Sequence, residues 1–173
     1  MDGSRRLSFA RRRGGAPTTR LDRVEFDRRF GLMRGRLEAI CGSLVGASDA
    51  PDVVHDVYLL ARSRLHQLRD PDALEAWLAR IAVNACHGFR RHRKRLTAYP
   101  IAVLEAPGGP DLALRELIER LPARERTILV LHYGHGYALD EIAALLSINY
   151  ATVRSVISRT RQRLFRDWTA ADR

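Results

Sequence analysis

A chain of 173 residues, 46% of them hydrophobic, holds enough apolar material for one ordinary domain or two small ones, and too much for a wholly disordered polymer. No apolar run approaches the roughly 20 residues that a bilayer crossing needs. The charged N-terminus lacks the apolar stretch of a secretory signal, so a soluble, cytoplasmic protein without membrane insertion is expected. The net charge of +10 rests almost wholly on arginine, with Lys94 the only lysine, and it gathers in three stretches. Met1 to Arg23 carries seven arginines against Asp2 and Asp22. Arg80 to Arg95 holds Arg80, Arg90, Arg91, Arg93, Lys94 and Arg95 with no acid, and Arg154 to Arg166 holds Arg154, Arg159, Arg161, Arg163 and Arg166, again with no acid.

Residues 1 to about 22 are rich in Arg, Gly, Ser, Thr and Pro and show no apolar period, so a disordered basic arm is expected there. From Phe26 the apolar residues fall into helical register: Phe30, Met33, Leu37, Ile40, Cys41 and Leu44 recur at steps of three and four. Gly46 to Asp49 interrupts the pattern. A second helix starts near Ala50, where Pro51 suits the first turn and Asp52 favours the positive helix end; Val53, Val54, Val57, Tyr58, Ala61 and Leu65 line one face. Arg69 to Asp72 reads as a turn. A third helix runs from about Ala73 through Leu74, Trp77, Leu78, Ile81, Ala82 and Ala85 into the basic run ending at Arg95. Trp77 shares the apolar register of this helix, which points to core packing. Three such helices can close a small domain over residues 23–95.

Pro100, Pro107, Gly108, Gly109 and Pro110 mark residues 96–110 as a flexible linker. Beyond it, over residues 111–173, Leu112, Leu114, Leu117, Ile118 and Leu121 give one more helix, and Pro122 opens another that carries Ile128, Leu129 and Leu131. No β alternation of useful length occurs. The fold class expected is all-α, two small helical domains joined by a linker.

The segment Leu139 to Ile157, LDEIAALLSINYATVRSVI, has the pattern of a helix-turn-helix. Ala143 is the small residue where two helices cross, and Ile142, Leu146, Ile148, Val153 and Val156 fall on the inner faces. The turn is Ser147-Ile148-Asn149. Such units commonly place glycine where Ser147 stands, because the backbone there turns left-handed. The second helix is expected from about Tyr150 into Arg163. Recognition helices present their first turns to the major groove, which singles out Tyr150, Ala151, Arg154, Ser155 and Ser158, with Arg159 and Arg161 nearer the backbone. A guanidinium such as that of Arg154 can pair in bidentate fashion with guanine. This reading makes the chain a DNA-binding protein.

Catalytic chemistry finds no support. Cys41 and Cys86 sit beside Ile40 and Ala85 on apolar helical sides, as reduced core thiols do. His132 and His135 stand three apart, and no nearby Cys, Asp or Glu completes a metal set. Neither a phosphate-binding glycine loop nor a nucleophile–base set is present. No metal, no cofactor and no enzymatic activity are expected.

Most of the chain, about residues 26 to 165, resembles the extracytoplasmic-function class of bacterial sigma factors of the sigma-70 family. SDAPDVVHDVYLLARSRL is similar to that family's core-polymerase-binding helix. WLARIAVN with its basic tail looks like the promoter-melting helix, and LPARERTILVLHYGHGYALDEIAALL followed by TVRSVISRTRQRL looks like the domain that reads the minus-thirty-five element. The resemblance implies that Asp52, His55 and Asp56 dock on the clamp helices of the polymerase β′ subunit, with His55 standing where glutamine is usual. It implies that the loop from His66 to Leu74, with Asn84, holds a base flipped from the minus-ten element, joined by Arg80, His87, Arg90 and Arg91 at the melted region, with Arg93 and Arg95 on nearby phosphates. In the second domain it implies minus-thirty-five contacts from Tyr150, Ala151, Thr152, Arg154, Ser155, Ser158 and Arg159. His132 stands where many members have an arginine that reaches DNA.

The partners implied are core RNA polymerase, through its β′ clamp helices and β flap, promoter DNA and, as for many members, an anti-sigma factor. The function implied is promoter-specific transcription initiation, in which capture of an unstacked base drives melting and catalysis belongs to the polymerase. The alternative is a stand-alone helix-turn-helix regulator that dimerises on a palindrome; it leaves Asn84 and the acidic second helix without a role. A metal-dependent nucleic-acid-processing enzyme is disfavoured by the missing ligand spacing.

Overall fold

The computed structural model describes residues 20–96 and 112–171, which divide between two compact units. The expected arm up to residue 19, the expected linker from residue 97, and the side chains of Lys94 and Arg95 lie outside the described residues. Among those described, every regular element is helical.

The first unit is a bundle of α1 (Arg23–Val45), α2 (Ala50–Ser63) and α3 (Leu74–Leu96), each packed on the other two. Asp22, counted above in the arm, starts α1: its carboxylate accepts from the Glu25 N–H at 2.8 Å, an N-cap worth about 1 kcal/mol. The inward stripe predicted from periodicity is buried, with Phe26, Phe30, Leu37, Ile40, Cys41 and Leu44 against Val53, Val54 and Val57 of α2 and Leu78, Ala82 and Cys86 of α3. Gly46, at φ 105, ends α1 in a conformation that a side chain would resist. Between α2 and α3 lie two short 3₁₀ turns, Leu65–Gln67 and Pro71–Ala73, with Leu68 buried between them. Asp70 accepts from the Asp72 N–H at 2.9 Å, and Arg29 of α1 donates to the Pro71 carbonyl at 3.3 Å, so this loop is tied down at its second turn. Trp77 is half-buried, a weaker core role than its register suggested.

The second unit contains α4 (Leu112–Glu119), α5 (Ala123–Leu129), α6 (Leu139–Leu146) and α7 (Tyr150–Ala171), and α4, α5 and α6 all pack on α7. Pro122 precedes α5 as expected. α5 runs on into a wider, π-type turn over Val130–Gly134, which closes when the Tyr137 N–H donates to the Leu131 carbonyl at 3.0 Å. This extra turn buries Leu131 completely and brings the His132 Nδ1–H to the Tyr137 carbonyl at 2.9 Å. α7 extends eight residues past the expected end at Arg163 (171 against 163), because FRDWTAA contains no helix breaker.

Candidate nucleic-acid interface

The corner between α6 and α7 is built by backbone chemistry that the side chains permit. At the start of α6 the buried Glu141 carboxylate reaches back to accept from the Ala138 N–H at 2.8 Å. At its end Ser147 takes the left-handed conformation, φ 55 and ψ 47. The Ile148 N–H then donates to the Ala143 carbonyl at 2.9 Å and the Ser147 N–H to the Ala144 carbonyl at 3.3 Å, the two bonds of a Schellman closure. Serine thus occupies the position for which glycine is the usual choice. Asn149 starts α7: its side-chain oxygen accepts from the Ala151 N–H at 2.8 Å. The pattern Ser147-Ile148-Asn149 marks Asn149 as a turn residue, and its place one position before a helical pattern is itself a capping signal.

These two closures fix which face of α7 is turned outward. Val153, Val156, Ile157 and Thr160 are buried, and Ile142, Ala143 and Leu145 of α6 are buried with them. Tyr150, Ala151, Arg154, Ser155, Ser158 and Arg159 are exposed, and Thr152 is half-buried at the edge. Arg154 makes no hydrogen bond or ion pair among the described residues, whereas Arg159 lies along its own helix, its Nε donating to the Ser155 carbonyl at 3.3 Å. Arg163, which the sequence grouped with these, faces the other way and pairs with Glu125 of α5 at 2.7 Å. His132 is half-buried, with its ring edge against Tyr133.

In the first unit, Arg80, Asn84, His87 and Arg91 fall at helical spacing along one side of α3. Arg80, Asn84 and Arg91 are exposed, His87 is half-buried, and the Asn84 amide makes no hydrogen bond among the described residues. Burial first, and then the nearby Arg91 and Arg90 charges, hold His87 below the ordinary histidine range, which favours the neutral ring. The rest of the basic run points elsewhere. Arg90 donates to the Leu44 carbonyl near the end of α1, and Arg93 pairs with Asp49 in the loop before α2. These two side chains brace the end of α3 against its neighbours, a use that charge counting along the sequence does not reveal.

On α2, Asp52, His55 and Asp56 are all exposed on the side opposite Val53, Val54 and Val57. Leu59, one turn further along that side, is 51% exposed. Sequence reading missed it; the signal was an apolar residue falling outside the inward register of α2. Cys41 and Cys86 are buried and free, as expected of reduced thiols. A hydrogen bond with Cys41 and then burial push the Cys86 thiol above its ordinary range. No cluster of potential metal ligands occurs among the described residues, and no described helix is long and apolar enough to cross a membrane.

Comparison with known proteins joins the two units. Residues 30–96 match sigma-70 region 2, and residues 111–164 match sigma-70 region 4. The chain is 32% identical over 152 residues to the ECF RNA polymerase sigma factor SigM of Mycobacterium tuberculosis, covering 84% of this chain and 78% of that one. To the ECF RNA polymerase sigma-E factor of Escherichia coli strain K12 it is 30% identical over 161 residues, covering 77% and 83%. Among solved structures, the sigma factor RpoE of Bartonella quintana, in complex with the anti-sigma factor NepR, matches with a TM-score of 0.68 at 25% identity over 84% of this chain and 97% of that one. A three-helix unit with a basic third helix, followed by a helical unit with a helix-turn-helix, therefore makes this chain a member of the sigma-70 family, an RNA polymerase sigma factor of the extracytoplasmic-function class.

Proposed function

We propose that this sigma factor reads a promoter at two points with the residues named above. Tyr150, Ala151, Thr152, Arg154, Ser155, Ser158 and Arg159 contact the minus-thirty-five element. Asn84, with Arg80, His87 and Arg91, takes the minus-ten element as it opens, and Arg90 acts there by bracing α3 as well as by its charge. Asp52, His55 and Asp56 dock on the clamp helices of the polymerase β′ subunit, with Leu59 supplying an apolar anchor beside them. The second unit meets the β flap. The observation that carries this reading is the outer face of α7 behind the Ser147 corner, acid-free from Tyr150 to Arg166, where Arg154 stands exposed and without a protein partner among the described residues. A cation in that position can turn to a base edge without giving up a partner inside the protein.

The chain itself is non-enzymatic and works in the cytoplasm, where core polymerase supplies the catalysis. An anti-sigma factor belongs to the proposal as a regulatory partner; the RpoE relative of Bartonella quintana is solved with one. Transcription in vitro with core polymerase on genomic fragments tests the reading. Arg154→Ala should reduce minus-thirty-five selection by about 1–3 kcal/mol, roughly fivefold to 150-fold, while co-elution with core enzyme persists. Asp56→Ala should weaken co-elution and leave the DNA preference of the second unit unchanged. If both variants direct transcription as the wild type does, the assignment of these surfaces is wrong.

A further inference from the structure

Of the three consecutive ionic residues of α5, Arg124 is exposed, while Glu125 and Arg126 face different neighbours. Arg126, 7% exposed, donates to the Ile118 carbonyl at 3.1 Å, to the Leu121 carbonyl at 3.0 Å and to the Glu119 carbonyl, closing the end of α4. Glu125 turns toward α7. A single carboxylate oxygen, Oε2, accepts from the Thr160 hydroxyl at 3.2 Å and from the Arg163 guanidinium at 2.7 Å. Thr160 is 1% exposed, so its hydroxyl is committed to the interior.

Apolar packing between α7 and its neighbours is non-directional and fixes the rotation of the helix less sharply than a directional polar contact does. A rotation of about 10° moves a side chain at the helix surface, some 5–6 Å from the axis, by about 1 Å. That is enough to spoil a bidentate contact with a base. Two donors one turn apart on α7, held by one fixed oxygen, restrict both rotation and sliding. They lie on the inward side, so the restraint acts without touching DNA.

We infer that Glu125 is a positioning residue for upstream promoter reading: through Thr160 and Arg163 it sets the rotation of α7 and keeps the Arg163 charge out of the DNA contact. The inference rests on the reading of α7 as the minus-thirty-five reader. Glu125 touches neither DNA nor polymerase in this role, and Arg163 is a brace.

The test uses the full chain assembled with core polymerase, on a promoter selected from genomic fragments by the wild type and on the same promoter with its minus-thirty-five element scrambled. Glu125→Ala should lower the ratio of transcription between the two by about twofold to tenfold, the scale set by the net loss of an ordinary hydrogen bond at a partly exposed site. Transcription from the scrambled promoter, which depends on the minus-ten contact, should stay within about twofold of wild type by the same reasoning. Glu125→Gln keeps an acceptor oxygen and should restore most of the ratio. Arg163→Ala should lower it as well, and the double variant should lower it no further, because both changes remove one interaction.

A parallel fall on both promoters would mean a merely structural role and would overturn the inference, as would a wild-type ratio in Glu125→Ala. So would a drop of about one in the salt slope of DNA binding for Arg163→Ala on any DNA, since that would put Arg163 on a phosphate. If Glu125→Ala does not fold, Thr160→Val and Arg163→Ala, which remove its two partners, carry the same comparison. A wild type that ignores the scrambling would refute the reading of α7 itself, and this inference with it.

Discussion

Ser147 holds a left-handed backbone, at φ 55 and ψ 47, that L-residues adopt at a cost of roughly 1–2 kcal/mol. Its side chain is exposed and makes no hydrogen bond among the described residues, so replacing it removes nothing but the steric cost. Glycine returns about 0.5–1 kcal/mol of that gain through its greater freedom in the unfolded chain. Ser147→Gly should therefore stabilise the second unit by about 0.5 kcal/mol, raising its unfolding midpoint by about 2–4 °C for a unit of this size. The control lies three residues earlier. Ala144 is exposed in the interior of α6, where glycine costs about 1 kcal/mol relative to alanine. Ala144→Gly should lower the midpoint by at least as much as Ser147→Gly raises it. Thermal denaturation followed by circular dichroism reads both, and minus-thirty-five selection should be retained in Ser147→Gly because the two Schellman bonds are backbone bonds. A lower midpoint for Ser147→Gly would refute the claim that this corner is strained.

Arg91→Ala should reduce the salt slope of DNA binding by about one, as the loss of a phosphate contact does. Arg93→Ala should leave that slope alone and destabilise the first unit by about 1 kcal/mol or less, since its pair with Asp49 is only partly shielded. Neither thiol should react with a disulfide reagent in the folded chain, and both should react once it is denatured, because Cys41 and Cys86 are 0% exposed. Early reaction of either would mean that the α1–α3 contact opens readily. For His87, the unfolded ring titrates near 6.5 and the folded ring lower, so folding is undisturbed above that value and loses stability as the pH falls below it. His87→Gln should flatten the loss seen between neutral pH and the folded-state titration; an unchanged pH–stability curve would show that the ring is not desolvated.

Much of the fold was legible because the apolar residues repeat with helical period and the breaks are punctuated. Phe26, Phe30, Leu37, Ile40, Cys41 and Leu44 are buried as their spacing predicts, and Gly46, Asp70 and Pro122 stand at element boundaries. The positions marked for the recognition helix lie on its exposed side or edge for the same reason: once Val153 and Val156 are placed inward, their neighbours are placed outward. The π-type turn after α5 was not legible, since one extra residue in a turn leaves the apolar count unchanged and depends on contacts made by Leu131 and Tyr137. The end of α7 was missed because the expected stop rested on where the basic run ended, and charge does not terminate a helix. The resemblance implies DNA contacts for Arg90 and Arg93, and the charge pattern groups Arg163 with the outward arginines of α7, while their partners Leu44, Asp49 and Glu125 stand 46, 44 and 38 residues away. Local charge patterns carry no information about such partners.

The same division of labour recurs in both units. α3 turns Arg80 and Arg91 outward with Asn84, and folds Arg90 and Arg93 back onto α1 and the loop before α2. α7 turns Arg154 and Arg161 outward, and folds Arg163 back onto α5. Arginine suits both uses, because its charge persists at any physiological pH and its planar fork can satisfy a carbonyl or a carboxylate as readily as a phosphate. A helix that meets DNA at one face must be held at the other, and the holding contacts must withstand the pull of the polyanion. Where the partner is a carboxylate, as for Arg93 and Arg163, the brace spends the charge inside the protein and also removes a site of sequence-independent attraction. Net charge therefore overstates the DNA footprint of this chain. On the proposed reading, discrimination by α3 and α7 rests on a few outward cations, and the inward ones hold the helices that carry them.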